Sequence, residues 1–344
     1  MLKDDKGVAI CFSGGGGKGA YEIGVWKALN EFGIVPRISA ISGTSVGALN
    51  AALFAQGSYK IAYDVWSNIS QDAVCTLNDK LIESGVKDCV KKIVTDRFLE
   101  GPTRQIYRFI KSKSEHEGFI TRDGLITLIK KYISYKAVLA FKGPIYISAY
   151  DTSRKYTHYF ELHRDAYDYD RMRDILLASA SIPVVFGEVE IDGTVYWDGG
   201  AQLKGPFVLP NEEHNTPVGR LHMDGYRTII TIHCSREISV DKAKYPDSTI
   251  LEIMPQEDMG GLIKGTLNFG PNTVVENMER GYADAVRILK HAYEMHKANE
   301  NYCRGLFSLI CENDKFAKEH DSIIRRNNRL DRELEHSLRN FLRG

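Results

Sequence analysis

The chain lacks a long apolar run. None reaches the roughly 18 residues that a membrane-spanning helix needs, although 43% of the 344 residues are hydrophobic. It also lacks net charge, because 45 Lys and Arg balance 45 Asp and Glu. Nucleic-acid binders usually carry excess positive charge, so no nucleic-acid partner is expected. Cysteine is scarce. Six residues, with no C-x-x-C pair, make neither a disulfide scaffold nor a zinc cage. A reduced, cytoplasmic protein without metal or cofactor is the expectation. Residues 1–7, MLKDDKG, are charged, and the apolar run Val8–Ser13 behind them is short, so no secretory signal is expected either. Lipid remains reachable from a membrane surface. With 26% charged residues the composition is that of a folded globular chain.

What is there begins with a strand pattern. Val8–Ser13 (VAICFS) reads as a buried strand, followed by Gly14–Gly19 and a helix over Ala20–Phe32. Arg37–Ser42 reads as a second strand, and Gly43–Gly47 turns into a helix over Ala48–Gln56. Strand-loop-helix repeated twice predicts a parallel α/β sheet. Residues 58–142 read as mostly helical. Pro144–Tyr150, Tyr156–Leu162 and Thr228–Cys234 read as strands, and Val189–Trp197 as a hairpin turning at Asp192-Gly193. Arg171–Ser181 reads as a helix stopped by Pro183, Gly260–Asn272 as a loop and Val274–His296 as a helix.

Three local patterns carry chemistry. Gly43-Thr44-Ser45-Val46-Gly47 is a G-x-S-x-G between a strand and a helix. Small flanking residues let a serine sit on a sharp turn with its hydroxyl exposed over a helix N-terminus. Gly14-Gly15-Gly16-Gly17-Lys18-Gly19 exposes backbone N–H groups ahead of a helix, which suits an anion or an oxyanion. A Walker A loop is excluded, because Phe12 and Gly19 stand where it needs Gly and Ser/Thr. A dinucleotide fingerprint matches Gly14, Gly16 and Gly19, but Ile34–Ser42 holds no acid for the ribose. Asp198-Gly199-Gly200 at a strand end suits either an accessible base or a plain turn.

In this order the three patterns resemble those of the patatin-like phospholipases: G-G-G-x-[KR]-G, then G-x-S-x-G, then D-G-[GA]. Ala178-Ser179-Ala180-Ser181-Ile182-Pro183 is similar to that family's small-residue helix end, and Asn215-Thr216-Pro217-Val218 to the segment following its aspartate. The resemblance spans about residues 6–295. It implies a three-layer α/β/α sandwich with a mainly parallel central sheet, and a lipid acyl hydrolase with a Ser–Asp dyad. On that reading Ser45 is the nucleophile and Asp198 its base. Amides within Gly14, Gly15, Gly16 and Gly17, foremost Gly15 and Gly16, hold the oxyanion. Lys18 braces the loop, and Gly19, Gly43, Gly47, Gly199 and Gly200 support the turns. A triad would instead draw on His214, His222 or His233. The family's Asn-x-Pro segment usually follows the aspartate closely. Here Ala201–His214 intervenes, which reads as an insertion over the site mouth, a lid or a selectivity loop.

The domain expectation is a hydrolase unit over residues 1–295 and a charged, amphipathic helical extension over residues 296–344. Leu306, Phe307, Leu309, Ile310, Ile323-Ile324, Leu330, Leu334, Leu338, Phe341 and Leu342 give that extension an apolar face. It suits packing on the body, a homodimer or a membrane surface. Lys80–Lys113 holds nine Lys/Arg against four Asp/Glu, and suits a solvated helix face or anionic headgroups. Substrate at a lipid or membrane surface is expected; nothing in the sequence identifies an activator.

Overall fold

Val8–Phe12 (β1) alternates Ala9 and Cys11 on one face with Ile10 and Phe12 on the other, and all four are fully buried. A strand buried on both faces belongs in the middle of a covered sheet, and β1 does pair in parallel with a neighbour on each side. In this computed structural model, residues 6–76, 120–183, 185–204, 207–210 and 212–341 are described. The basic stretch Lys80–Lys113 lies outside them.

The first of two compact units, Met1–Ile288, carries the sheet. Its strands are β1, β2 (Ile38–Thr44), β3 (Ile145–Asp151), β4 (Tyr156–Glu161), β5 (Val189–Ile191), β6 (Thr194–Asp198), β9 (Thr228–Ile232) and β10 (Thr249–Ile253), with β7 (Ala201–Lys204) and β8 (Phe207–Pro210) paired separately. The order is β10-β9-β1-β2-β3-β6-β5, with β4 also on β3. β10, β9, β1, β2 and β3 are parallel; β4 and β6 run antiparallel to β3. Helices α1 (Ala20–Glu31) and α2 (Val46–Ala55) follow β1 and β2. α2 is apolar almost all round and nine of its ten residues are buried, as expected of a core helix. Phe54 from α2 packs on Phe12, with ring centroids 5.5 Å apart, and on Trp26 from α1, at 4.7 Å. On the opposite face Ala9, Cys11 and Ala40 pack with Val218 and Leu221 from the helix Val218–Met223. Helices thus cover both faces of a mostly parallel sheet, the three-layer α/β/α arrangement expected from the motifs.

Several elements differ from expectation. Thr249–Ile253 (TILEI) is an edge strand that the sequence reading passes over. Only Ile250 and Ile253 are buried, one on each face, and the glutamate between them breaks the apolar pattern. Ala201–Lys204 and Phe207–Pro210 pair as a two-stranded antiparallel hairpin inside the expected insertion. Leu262–Thr266 forms a short π-helical turn where a loop is expected, because its amides find backbone acceptors at Gly261. In the second unit, Leu289–Gly344, the chain is helical to Phe341, within one helix assigned over Pro271–Phe341.

Candidate active site

The register of β3 brings the site together. β4 occupies one edge of β3 from Tyr146 to Asp151. β2 and β6 must therefore share the other edge. β2 holds it through Ser148, paired with Thr44, and β6 takes over at Ala149, paired with Asp198. Ser45 directly follows Thr44, so the serine turn and the aspartate meet where one strand replaces the other. β1 lies beside β2 in parallel and delivers the glycine loop to the same carboxyl edge, where open α/β sheets place their ligands.

Ser45 has φ 57° and ψ −127°. That conformation is costly for a residue with a side chain, by roughly 1–3 kcal/mol, and such residues cluster at functional sites. It matches the strained strand-to-helix turn of a nucleophile elbow. The flanking glycines are obligatory: a β-carbon on Gly47 would stand 2.4 Å from the Phe12 carbonyl oxygen. The Ser45 amide donates to the Ser179 hydroxyl at 2.9 Å, and the Asp198 amide donates to the Ser181 carbonyl, also at 2.9 Å. The small-residue helix end after Tyr169–Ser179 therefore holds both residues.

Asp198 is buried, and its Oδ1 accepts from the Gly200 amide at 2.8 Å. Its Oδ2 is buried with no regular hydrogen-bond partner. Burial pushes the carboxyl up to about 6, against the opposing pull of the Ser45 hydroxyl and the Gly200 amide. A carboxyl that titrates near 6 beside the Ser45 hydroxyl can exchange a proton near neutral pH. His214, His222 and His233 are the candidates for a third member of the site. Their ring nitrogens meet Tyr159, Ser248 and Glu252 respectively.

In the glycine loop, Gly14 is committed. Its amide donates to the Asn215 carbonyl at 3.0 Å, and the Asn215 side chain donates back to the Gly14 carbonyl at 3.3 Å. Gly16, Gly17, Lys18 and Gly19 then form a short 3-10 helix, whose first N–H groups have no partner within the helix. Gly16 has φ +56°, and a β-carbon there would collide with the Thr266 carbonyl at 2.1 Å. Lys18 lies with its stem against Gly265. Behind the loop sits a buried polar cluster that sequence reasoning missed. Asn50 donates to the Gly19 carbonyl at 3.0 Å and to Glu22 at 2.7 Å, and accepts from the Trp66 indole at 2.9 Å. Burial pushes Glu22 up to about 8. The available signal was a lone asparagine in an otherwise apolar helix.

Ser45 and Gly16 are among the residues lining a cavity of about 760 Å³, open space at its mouth included. The rest of its wall is almost wholly apolar, with Leu49, Leu53, Trp66, Ile129 and Phe269 among the lining residues. A hydroxyl on a strained turn that lines an apolar cavity, with a buried carboxylate and a glycine loop beside it, can attack a carbonyl whose substituent is greasy.

No curated protein matches the chain in sequence. Among solved structures it is similar to VipD from Legionella pneumophila, with 12% identity and a TM-score of 0.42 over 83% of this chain and 67% of that one. It is also similar to the type III effector protein ExoU, with 16% identity and a TM-score of 0.39 over 84% of this chain and 54% of that one. The ExoU–SpcU heterodimer from the type III secretion system of Pseudomonas aeruginosa matches with 17% identity and a TM-score of 0.35, over 83% and 51%. The chain spans about half the length of ExoU. The family model described as patatin-like phospholipase matches residues 10–209, and with that span, the sheet and the three ordered motifs, this chain belongs to the patatin-like phospholipase family of lipid hydrolases.

Proposed function

We propose that the chain is a serine acyl hydrolase of lipids, of phospholipase A or lysophospholipase type, which cleaves a carboxylic ester through a Ser45–Asp198 dyad. One observation carries this reading: Ser45, on a strained turn beside a buried carboxylate, lines a largely apolar cavity. The acyl chain lies in the slot. Ser45 Oγ attacks the carbonyl carbon while its proton passes to Asp198. The oxyanion takes hydrogen bonds from amides within Gly15–Gly17, since the Gly14 amide is used by Asn215. Loss of one such donor typically raises the barrier by roughly 3–4 kcal/mol. Collapse expels the alcohol, which takes the proton from Asp198. Water then attacks the acyl-serine, giving up its proton to Asp198, and the fatty acid leaves as Ser45 is reprotonated.

The apolar wall at Gly16 favours an acyl chain over the phosphates of a nucleotide, which is the rival use of the glycine loop. No helix among the described residues is long and apolar enough to cross a membrane. On this reading substrate is met at the surface of a membrane or micelle. The test is direct. A fluorophosphonate probe should label the wild type and not Ser45→Ala, and the wild type should release fatty acid from phospholipid vesicles. Wild type that takes no label and turns over neither vesicles nor p-nitrophenyl esters overturns the reading.

A further inference from the structure

We propose that the helix from Tyr302 to Leu330 is one strand of a parallel, in-register coiled coil between two copies of this chain. Tyr302, Leu309, Phe316, Ile323 and Leu330 recur every seven residues along it. Each is more than half exposed, from 53% at Leu330 to 68% at Phe316. A second row, Leu306, Asn313, His320 and Asn327, repeats with the same period, four residues after each member of the first. The two rows are the core positions of a heptad. An ordinary surface helix follows a period of about 3.6, and an apolar row held to seven drifts by about 20° per repeat unless two helices supercoil around each other.

The polar members select the partner and its direction. In a parallel, in-register pair each core residue meets its own copy. Asn313 and Asn327 then face an identical amide that both donates and accepts, as the ring of His320 also can. In an antiparallel pair the second row faces the first, which would bury each asparagine against an apolar side chain. Such core asparagines fix register and stoichiometry in two-stranded coils. The flanks agree. Arg326 precedes a core position and Asp331 follows one, so Arg326 of one copy reaches the partner's Asp331 across the seam. Lys318, Arg325 and Arg332 form a row on the opposite, solvent side. Between Leu306 and Glu333 six Lys/Arg balance six Asp/Glu, so the helix has no net charge to draw it to an anionic bilayer.

The experiment uses the full-length chain in sedimentation equilibrium at micromolar concentrations. A dimer is expected. Leu309→Asp with Ile323→Asp should give a monomer whose thermal transition for the hydrolase unit is unchanged. Arg326→Glu should raise the dissociation constant at least tenfold, and adding Asp331→Arg should restore it. In a Cys303→Ser, Cys311→Ser background, Asn313→Cys should cross-link copies under mild oxidation. Four results overturn the proposal: a wild-type monomer or trimer, a dimer indifferent to the seam and charge variants, a dimer that Asn313→Cys fails to cross-link, or a helix that binds phosphatidylglycerol vesicles instead of its copy.

Discussion

Gly14 and Asn215 grip each other at both ends: the glycine amide donates to the asparagine carbonyl at 3.0 Å, and the asparagine side chain donates to the glycine carbonyl at 3.3 Å. The Asn215 side-chain oxygen also lies where β-carbons on Gly14 or Gly200 would stand, at 2.2 and 2.5 Å. One side chain thus sets the spacing between the glycine loop and the turn behind Asp198. Asn215→Ala should leave the fold in place, at a cost of about 1–2 kcal/mol for the lost hydrogen bond. Misplacement of reacting groups by about 1 Å can cost about a hundredfold, so kcat should fall tenfold to a hundredfold with KM little changed. Steady-state kinetics on a soluble ester, with a thermal melt as control, would decide; a mutant of full kcat removes this role.

As the proposed base, Asp198 must be ionised to accept a proton from Ser45. With its carboxyl at about 6, kcat/KM should rise with pH and level off above that value. Asp198→Asn should lose at least a thousandfold and show no such inflection. A profile in which the wild type is flat from pH 5 to 8 would exclude Asp198 as the titrating base.

Leu49 lies one helical turn beyond Ser45 on α2 and lines the apolar slot. Leu49→Trp should shorten the slot near the reacting carbon. Long-chain p-nitrophenyl esters should lose at least tenfold in kcat/KM, while acetate and butyrate esters stay within about threefold, because a filled pocket rejects by size. Equal losses across chain lengths would mean that the slot does not hold the acyl group.

Glu22 is fully buried, with its carboxyl raised from 4.5 to about 8. A raised acid is favourable to folding while protonated, and that contribution is lost as pH climbs from the unfolded value through the folded one. Between about pH 5 and 8 the wild type should therefore lose stability relative to Glu22→Gln, which stays neutral and keeps an oxygen to accept from Asn50. Denaturant melts of both proteins across that range test it; parallel curves would show that Glu22 does not titrate in the fold.

The strands and turns around Ser45 were legible because each is a local event. A buried apolar run before a glycine turn can do little else, and the hairpin at Asp192-Gly193 has φ of 50° and 73° at its two turn residues, as that dipeptide suggests. What the sequence hid is what depends on distant partners. Thr249–Ile253 becomes a strand only because β9 offers it a parallel edge. The Asn50–Glu22–Trp66 cluster joins three separate helices, and only the fold shows that each polar atom finds another. Gly14 carried a motif position, yet its amide donates to the carbonyl of Asn215, about two hundred positions away.

The handover on β3 also bears on how this chain can change. Ser45 and Asp198 are located by strand register, from residues that pair before the chain reaches the connection that follows Asp198. That connection, here the hairpin between Ala201 and Pro210, can lengthen, shorten or be exchanged without moving the reacting atoms. Novelty in substrate choice can therefore accumulate there while the chemistry is inherited intact.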